Sequence, residues 1–513
     1  MHFPDRHAET VVHMLRRAAE SAPASDAVVV VGRERTTYRE LSDRVAAWAA
    51  RIVAVCGAKN RIGILLPNGS HVVDALLGVL ASGNQAVLLN PGYTARELTA
   101  ILPDADMQAV ITSEAQIAAL QDAMCATALG PVVLNVDGAT VRADPELVRK
   151  GLSFLPPAVE ELALLQFTGG TTGKPKGVML SHRALTMNIC QRDALLPTRP
   201  GVERILCMTP IFHAYALAMA VFPALFSAGA LVILPRYRPE AALSAIAEQR
   251  ITLFAGTPTI YNGLVAHPEF RSTNFASLRG AFSGAAPLSV EVLTSWEQVA
   301  HVPIYEGYGL TEATAVLTFN PMIGKRKPGS VGVPLPGTEV QVVDVETGRV
   351  PQATGQVGEV RARGPQMMEG YRNRARDTAA ILRDGWLYTG DIGVLDEDGY
   401  LFLRSRKSDM AIVSGYNVYP REIEEVLYLH PAVLEAIAVG LPDKYRGECI
   451  GALISLRPGA QTDADDLIAH CAKNLAKYKV PTMIEVAEQL PKTAAGKLDR
   501  QSARQVLLNR KVG

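Results

Sequence analysis

Leu164-Leu165-Gln166-Phe167-Thr168-Gly169-Gly170-Thr171-Thr172-Gly173-Lys174-Pro175-Lys176-Gly177 runs from an apolar strand into a loop of glycines, threonines and lysines. Glycines let successive backbone N–H groups turn toward one anion. The hydroxyls of Thr168, Thr171 and Thr172 add donors, and Lys174 and Lys176 add positive charge. Between a buried strand and a helix, that composition suits a triphosphate better than it suits a solvated surface loop. The spacing is not that of a Walker A loop, which needs G-x-x-x-x-G-K-[ST]. Here Gly169 stands four positions before Gly173, and Lys174 is followed by Pro175 instead of a hydroxyl residue.

Strand and helix signals alternate on both sides of this loop. Apolar runs at 27–31, 62–66, 86–89 and 108–112 read as strands, and they continue at 204–208, 230–234, 253–255 and 279–282. Thr37 stands three residues before Glu40, and Thr94 three before Glu97; each pair is a capping box that opens a helix. A further helix is expected over 71–82, and Ser181-His182 opens one after the loop. Such an order is α/β, with largely parallel sheets covered by helices on both faces. Near residue 340 the pattern changes to short strands at 340–344, 358–363 and 400–405 divided by Gly-rich turns. After Arg406 helix and strand spacing returns: helices at 422–429 and 465–477, strands at 433–439 and 450–456. We therefore expect a large unit over residues 1–404 and a small one over 405–513.

A chain of 513 residues is too long for one core of ordinary size. Its 48% apolar content is that of a globular protein. Lys plus Arg and Asp plus Glu are balanced at 51 each, so charge gives no reason to expect nucleic acid or an anionic membrane as partner. Cys56, Cys125, Cys190, Cys207, Cys449 and Cys471 are scattered without a CxxC, as expected of thiols in a reducing compartment. From the polar N-terminus no signal peptide is expected, and a cytoplasmic location is expected. Residues 216–234 carry no charge, but Pro223, Ser227 and Gly229 interrupt them, so they read as a buried helix followed by a strand.

Seven further segments follow in order: Pro210-Ile211-Phe212-His213-Ala214-Tyr215, Ser283-Gly284-Ala285-Ala286-Pro287-Leu288, Tyr308-Gly309-Leu310-Thr311-Glu312, Tyr388-Thr389-Gly390-Asp391, Arg406, Ser414-Gly415-Tyr416-Asn417-Val418-Tyr419-Pro420 and Pro491-Lys492-Thr493-Ala494-Ala495-Gly496-Lys497. With the glycine-rich loop, they resemble the motifs of the acyl- and aryl-CoA ligases. These belong to the adenylate-forming superfamily, which also holds peptide-synthetase adenylation domains and firefly luciferase. The resemblance covers nearly the whole chain. It implies two layered α/β subdomains plus a small β-barrel-like subdomain, followed by a small mobile α+β domain. It also implies ATP, Mg2+ and coenzyme A.

The resemblance assigns roles residue by residue. Residues Thr168 to Lys174 and Lys176 would hold phosphates. Asp391 would accept bonds from the ribose hydroxyls, as suits a diol with two donors. Arg406 would lie near the nucleotide. Tyr308, beside Gly309, would stack on adenine, and Ser283, Gly284, Ala285 and Ala286 would wall its pocket. Thr311 would contact phosphate and Glu312 would hold magnesium. His213 would sit at the acyl-adenylate site, with Tyr215, Met219, Ser283, Gly307 and Leu317 around the acyl group. Gly415 and Tyr416 would border the coenzyme A path, Ser408 would be the hinge, and Lys497 would serve adenylation. Ser405 and Ser408 depart from the family, where Gly and Asp or Lys are usual.

The implied reaction turns a carboxylate into an acyl-adenylate and then a thioester. The candidate acyl positions are apolar or small and include no Arg or Lys to pair with a second carboxylate. A hydrophobic monoacid is expected, first a medium- or long-chain fatty acid and alternatively a benzoate- or cinnamate-like acid. His213 stands where amino-acid adenylating relatives carry the Asp that holds the substrate ammonium, which argues against an amino acid. A carrier protein as acceptor, peripheral membrane contact and a homodimer stay open. A non-catalytic scaffold on this fold would be expected to have lost Lys497, Asp391 or the loop, and all are present.

Overall fold

A computed structural model describes residues 9–137, 157–168, 175–286, 288–493 and 497–512. The loop Gly169 to Lys174 therefore lies outside the described residues.

Strands built from Val, Ile, Leu and Ala are apolar on both faces, and they form the interiors of two mainly parallel sheets. In the first, Gln85–Leu88 lies between Arg61–Leu65 and Leu162–Thr168; Lys176–Ser181 then turns back antiparallel on Leu162–Thr168. In the second, the parallel run is Asp26–Val30, Ala230–Ile233, Arg204–Cys207, Leu253–Gly256, Gly280–Ser283 and Ile304–Tyr308. Both capping boxes form: the Glu40 and Glu97 carboxylates each accept the N–H of their threonine at 2.8 Å. One large core fills the space between the sheets, from Ile62 and Leu164 through Ile189 and Tyr215 to Phe282.

The uncharged segment is a buried helix of three pieces: Ala214–Ala216, a π-helical turn Leu217–Val221, and Phe222–Phe226. The strand Ala230–Ile233 follows. No described helix is long and apolar enough to cross a membrane. A π turn inside a helix is rare and is frequent at functional sites.

Glu339–Val343, Gly358–Arg363, Trp386–Leu395, Leu382–Arg383 and Leu401–Arg406 form a third, antiparallel sheet, a curled half-barrel. The small C-terminal α+β domain has its own sheet, in which the long hairpin Val433–Asp443 and Gly447–Leu456 carries Ala411–Val413 and Met483–Val486 on the same strand. Two layered α/β parts, a half-barrel and a small α+β domain are what the sequence resemblance implies. The helix Arg500–Val512, which no sequence signal announced, buries Ala503 and Leu507 against Ile437, Leu441 and Cys449. The division expected between 404 and 405 falls inside the strand Leu401–Arg406. Its polar end reads as a linker, yet Ser405 and Arg406 still pair with Ile392 and Asp391 of the larger unit.

Candidate active site

Three strands meet at one cleft. Asp391 stands in Trp386–Leu395, directly opposite Arg406 of the neighbouring strand. It is 5% exposed. Its Oδ1 lies 3.1 Å from Arg406 Nε, and its Oδ2 accepts the Tyr308 hydroxyl at 2.5 Å. Burial raises the carboxyl pKa; Arg406 and the Tyr308 hydroxyl oppose that and favour the anion. Asp391 and Arg406 thus form a charged pair on one wall of the cleft, with lone pairs left on both carboxylate oxygens.

Thr311 opens a short 3-10 turn, Thr311–Ala313, that carries Glu312. The Glu312 Oε1 accepts the Tyr371 hydroxyl at 2.6 Å. The Lys176 ammonium lies 5.2 Å from the centre of the Tyr371 ring and 3.3 Å from Asp377 Oδ2. Thr168 pairs with Lys176 across the hairpin, so the two ends of the expected phosphate loop stand side by side. One carboxylate beside the hairpin expected to hold phosphates fits magnesium, which is commonly held by one or two carboxylates plus phosphate oxygens.

Lys497 arrives from the small domain. It is half-buried, and its carbonyl accepts the Thr493 N–H at 2.7 Å. Burial pushes its pKa down to about 8, helped by the charge on Arg406 and opposed by Asp391. His213 is pushed down to about 4, first by burial and then by the Lys497 charge, so its ring is neutral at neutral pH. The His213 Nδ1 accepts the Tyr215 backbone N–H at 3.2 Å, which leaves Nε2 to carry the ring proton. Asp391, Arg406, Tyr308, Lys497 and His213 are therefore brought into one site from five separate segments.

The acyl side is built on aromatic rings. The Tyr215 hydroxyl donates to the Gly256 carbonyl at 3.2 Å and reaches the Phe282 carbonyl at 3.4 Å. A methyl on Gly284 would meet the Tyr215 ring at 2.8 Å, and one on Gly307 would meet the Phe319 ring at 2.1 Å. Phe319 in turn packs edge-on against Phe282, with ring centres 5.9 Å apart. Ser283 is buried with its hydroxyl unpartnered, and Ala285 adopts a left-handed φ of 69°, unusual for a residue with a Cβ. A small cavity lies alongside, bounded by Gln166, Leu185, Asn188, Ile189, Ala214 and Leu217. Met219 is buried one turn on, and its neighbours, not Met219 itself, line that cavity. The sequence reading puts Leu317 beside the acyl group. It packs with Ala313, Ala362 and Leu387 on the half-barrel side, while Val316 and Phe319 join the Tyr215 core. The sequence reading also missed Arg192, buried in the helix His182–Leu195, because helical spacing alone gives an arginine no address.

Gly415 has φ of 83°, and the space a Cβ would occupy there is open. The glycine answers first to a left-handed turn, with room at the surface as a by-product. Tyr416 is exposed and stacks on Tyr478, ring centres 4.6 Å apart. At the junction of the two units, Lys407 Nζ bonds Glu359 Oε2 at 2.8 Å and the Val345 carbonyl at 2.7 Å. Two residues on, Asp409 Oδ2 lies 3.4 Å from Arg500 Nε of the small unit. Ser408 stands between them and donates to Asp409 Oδ1 at 3.0 Å.

Residues 15–372 match the model of the AMP-binding enzyme family, and residues 422–497 match that of the AMP-binding enzyme C-terminal domain. The chain belongs to the AMP-binding enzyme family. It is 36% identical to a long-chain-fatty-acid–CoA ligase of Bacillus subtilis, over 96% of this chain and 94% of the relative. It is 35% identical to a feruloyl-CoA synthase of an Amycolatopsis species, over 94% of this chain and 96% of the relative. The solved anthranilate CoA ligase AuaEII, in complex with anthranoyl-AMP, superposes with a TM-score of 0.90 at 25% identity, covering 99% of this chain and 98% of that one. This AMP-binding enzyme is thus an AMP-forming acid–thiol ligase of the adenylate-forming superfamily, with a carboxylic acid, ATP and coenzyme A as its substrates. Magnesium use is typical of that superfamily.

Proposed function

We propose that this ligase activates an aryl acid of benzoate or cinnamate size and transfers the acyl group to coenzyme A. The observation that carries the reading is the aromatic packing around Gly284 and Gly307. Tyr215 is seated hard on Gly284, and Phe319 occupies the room beside Gly307 and abuts Phe282. Flat rings pack well in offset or edge-on contact with such walls. The anthranilate and feruloyl ligases among its relatives lend support. The long-chain fatty acid ligase of B. subtilis supports a second reading, a fatty acid, to which peripheral membrane contact would belong. ATP–pyrophosphate exchange with benzoate, cinnamate, decanoate and hexadecanoate separates the two. We expect an aryl acid to give the highest kcat/KM; a preference for hexadecanoate would overturn the proposal.

In this reading, Asp391 takes the ribose hydroxyls and Tyr308 borders the adenine. The carboxylate of the acid attacks the α-phosphorus of ATP and pyrophosphate leaves. Lys497 bridges the carboxylate and the α-phosphate oxygen, aligning them and offsetting charge. Glu312 would hold the magnesium, which supplies charge neutralisation at the phosphates. His213, neutral, orients the acyl group and transfers no proton. A thiolate then attacks the acyl carbon and AMP leaves. The acceptor is coenzyme A in place of a carrier protein, and the location is cytoplasmic.

The same proposal places the pivot between the two units at Ser408, between an anchor on the large unit at Lys407 and one on the small unit at Asp409. Proline fixes φ and restrains the residue before it. Ser408→Pro is expected to slow thioester formation several-fold more than adenylation, measured as separate half-reactions. Equal loss of both would remove the pivot from this position.

A further inference from the structure

Arg192 is 1% exposed, yet its Nε and Nη2 have no partner. Only Nη1 is satisfied, by the Leu196 carbonyl at 2.9 Å. The neighbouring carboxylates are committed elsewhere. Asp193 stands 3.8 Å away and accepts the Thr198 N–H at 2.9 Å and its hydroxyl at 2.6 Å. Glu203 is forked onto Arg279 and also accepts the Arg199 N–H. Burial lowers the Arg192 pKa to about 10, so the guanidinium stays charged at neutral pH. Buried charges are normally paired and fully bonded, and an unsatisfied one is expensive to keep.

Its position in the helix His182–Leu195 gives the orphan groups a direction. Leu185, Asn188 and Ile189 line the cavity beside Gln166 and Ala214, and Arg192 follows one turn later on that face. Its guanidinium lies 5.3 Å from the centre of the Phe282 ring, behind Tyr215. Two more buried polar atoms in the same region lack partners, Gln166 Oε1 and Ser283 Oγ. The Gln166 amide reaches the Phe212 carbonyl at 3.4 Å, next to His213, so that end of the cavity is where the reacting carboxylate belongs. Arg192 does not itself line the cavity; it lies one turn beyond Asn188 on the same helix, against the Phe282 ring.

The geometry points to Arg192 as the specificity residue for the far end of the acid, where its free N–H groups take an oxygen acceptor carried by the acyl group. That acceptor is a hydroxyl or a second carboxylate on the side opposite the reacting carboxylate. This rests on the aryl-acid reading and corrects the expectation of a wholly apolar tail, which came from acyl positions that contained no arginine.

The test uses matched pairs: benzoate with 4-hydroxybenzoate and with 4-carboxybenzoate, and decanoate with 10-hydroxydecanoate. Full-length wild type, Arg192→Met and Arg192→Lys are compared by kcat/KM for thioester formation and by melting temperature without acid. In the wild type one oxygen-bearing member should exceed its plain partner on the order of tenfold to a hundredfold, the range of a buried charge-assisted hydrogen bond. In Arg192→Met that ratio should fall to about one, mainly through KM, and Arg192→Lys should restore part of it for the carboxylate. The melting temperature of Arg192→Met should hold or rise, since an unpaired buried charge has gone. A wild-type ratio near one overturns the assignment, and so does a ratio that survives in Arg192→Met, whatever the melting temperature does. If Arg192→Met does not fold, Arg192→Gln and the wild-type ratios decide by the same criteria. If alkanoates win over aryl acids but 10-hydroxydecanoate beats decanoate, the aryl reading fails and the assignment of Arg192 stands.

Discussion

Lys497→Ala is expected to lose acyl-adenylate formation by a factor on the order of 10²–10³, the scale of removing one preorganised donor at a developing charge. It is expected to convert supplied acyl-adenylate and coenzyme A to thioester far better than it forms the adenylate. The structure has this lysine near Asp391, Arg406 and His213. Its charge is felt by His213, and it feels those of Arg406 and Asp391. With its pKa pushed down to about 8, the ammonium is lost as pH rises through that value, and adenylation should fall there too. ATP and the acid bring negative charge and should move that fall upward once both are bound. Measuring both half-reactions on one folded preparation checks the first expectation. Near-normal adenylation would return Lys497 to an ordinary surface lysine. Equal collapse of both halves would mean that it serves the two steps alike.

Asp391→Ala is expected to weaken ATP binding on the order of a hundredfold or more. Two charge-assisted bonds to the ribose would go, each worth about 1.5–3 kcal/mol. The arrangement around it adds a second loss. Asp391 anchors the Arg406 guanidinium and receives the Tyr308 hydroxyl, so its removal releases two other groups of the nucleotide wall. Asp391→Asn keeps one acceptor and should fall between wild type and alanine. Calorimetry with ATP on the folded variants is the measurement; an unchanged dissociation constant for Asp391→Ala would place the ribose elsewhere.

Most of the fold was legible because its strands are short, apolar and bounded by turn residues. Gly358–Arg363 agrees with its expected span at both ends, and the capping boxes at Thr37 and Thr94 fix two helix starts. The uncharged stretch resolves as expected into helix and strand, but its π turn leaves no mark on hydrophobic periodicity. The helix Arg500–Val512 escaped notice because its buried side is thin, with Ala503 and Leu507 set among charged and polar residues.

The site was legible where a motif names a residue and opaque where packing decides. Asp391, Tyr308 and Lys497 stand in motifs and converge. Leu317 sits in no such frame, and only the fold shows that it turns toward Ala362 and Leu387. Arg192 is the converse. An arginine in a helix reads as a solvated surface group, and nothing in the linear pattern says that this one is buried.

With Lys407 anchored to Glu359 and Asp409 to Arg500, the pivot proposed at Ser408 stands between two held neighbours. Whatever the small body carries must therefore travel together. It bears Lys497, inside the cleft, and Gly415 with Tyr416, out at the surface. Under the pivot proposed at Ser408 the arrangement is a turnstile: with the lysine arm in the passage, the thiol's arm is shut outside. In that proposal mechanics impose the order of bond making, and a hydrolysable adenylate is kept behind a closed gate until the bar swings round.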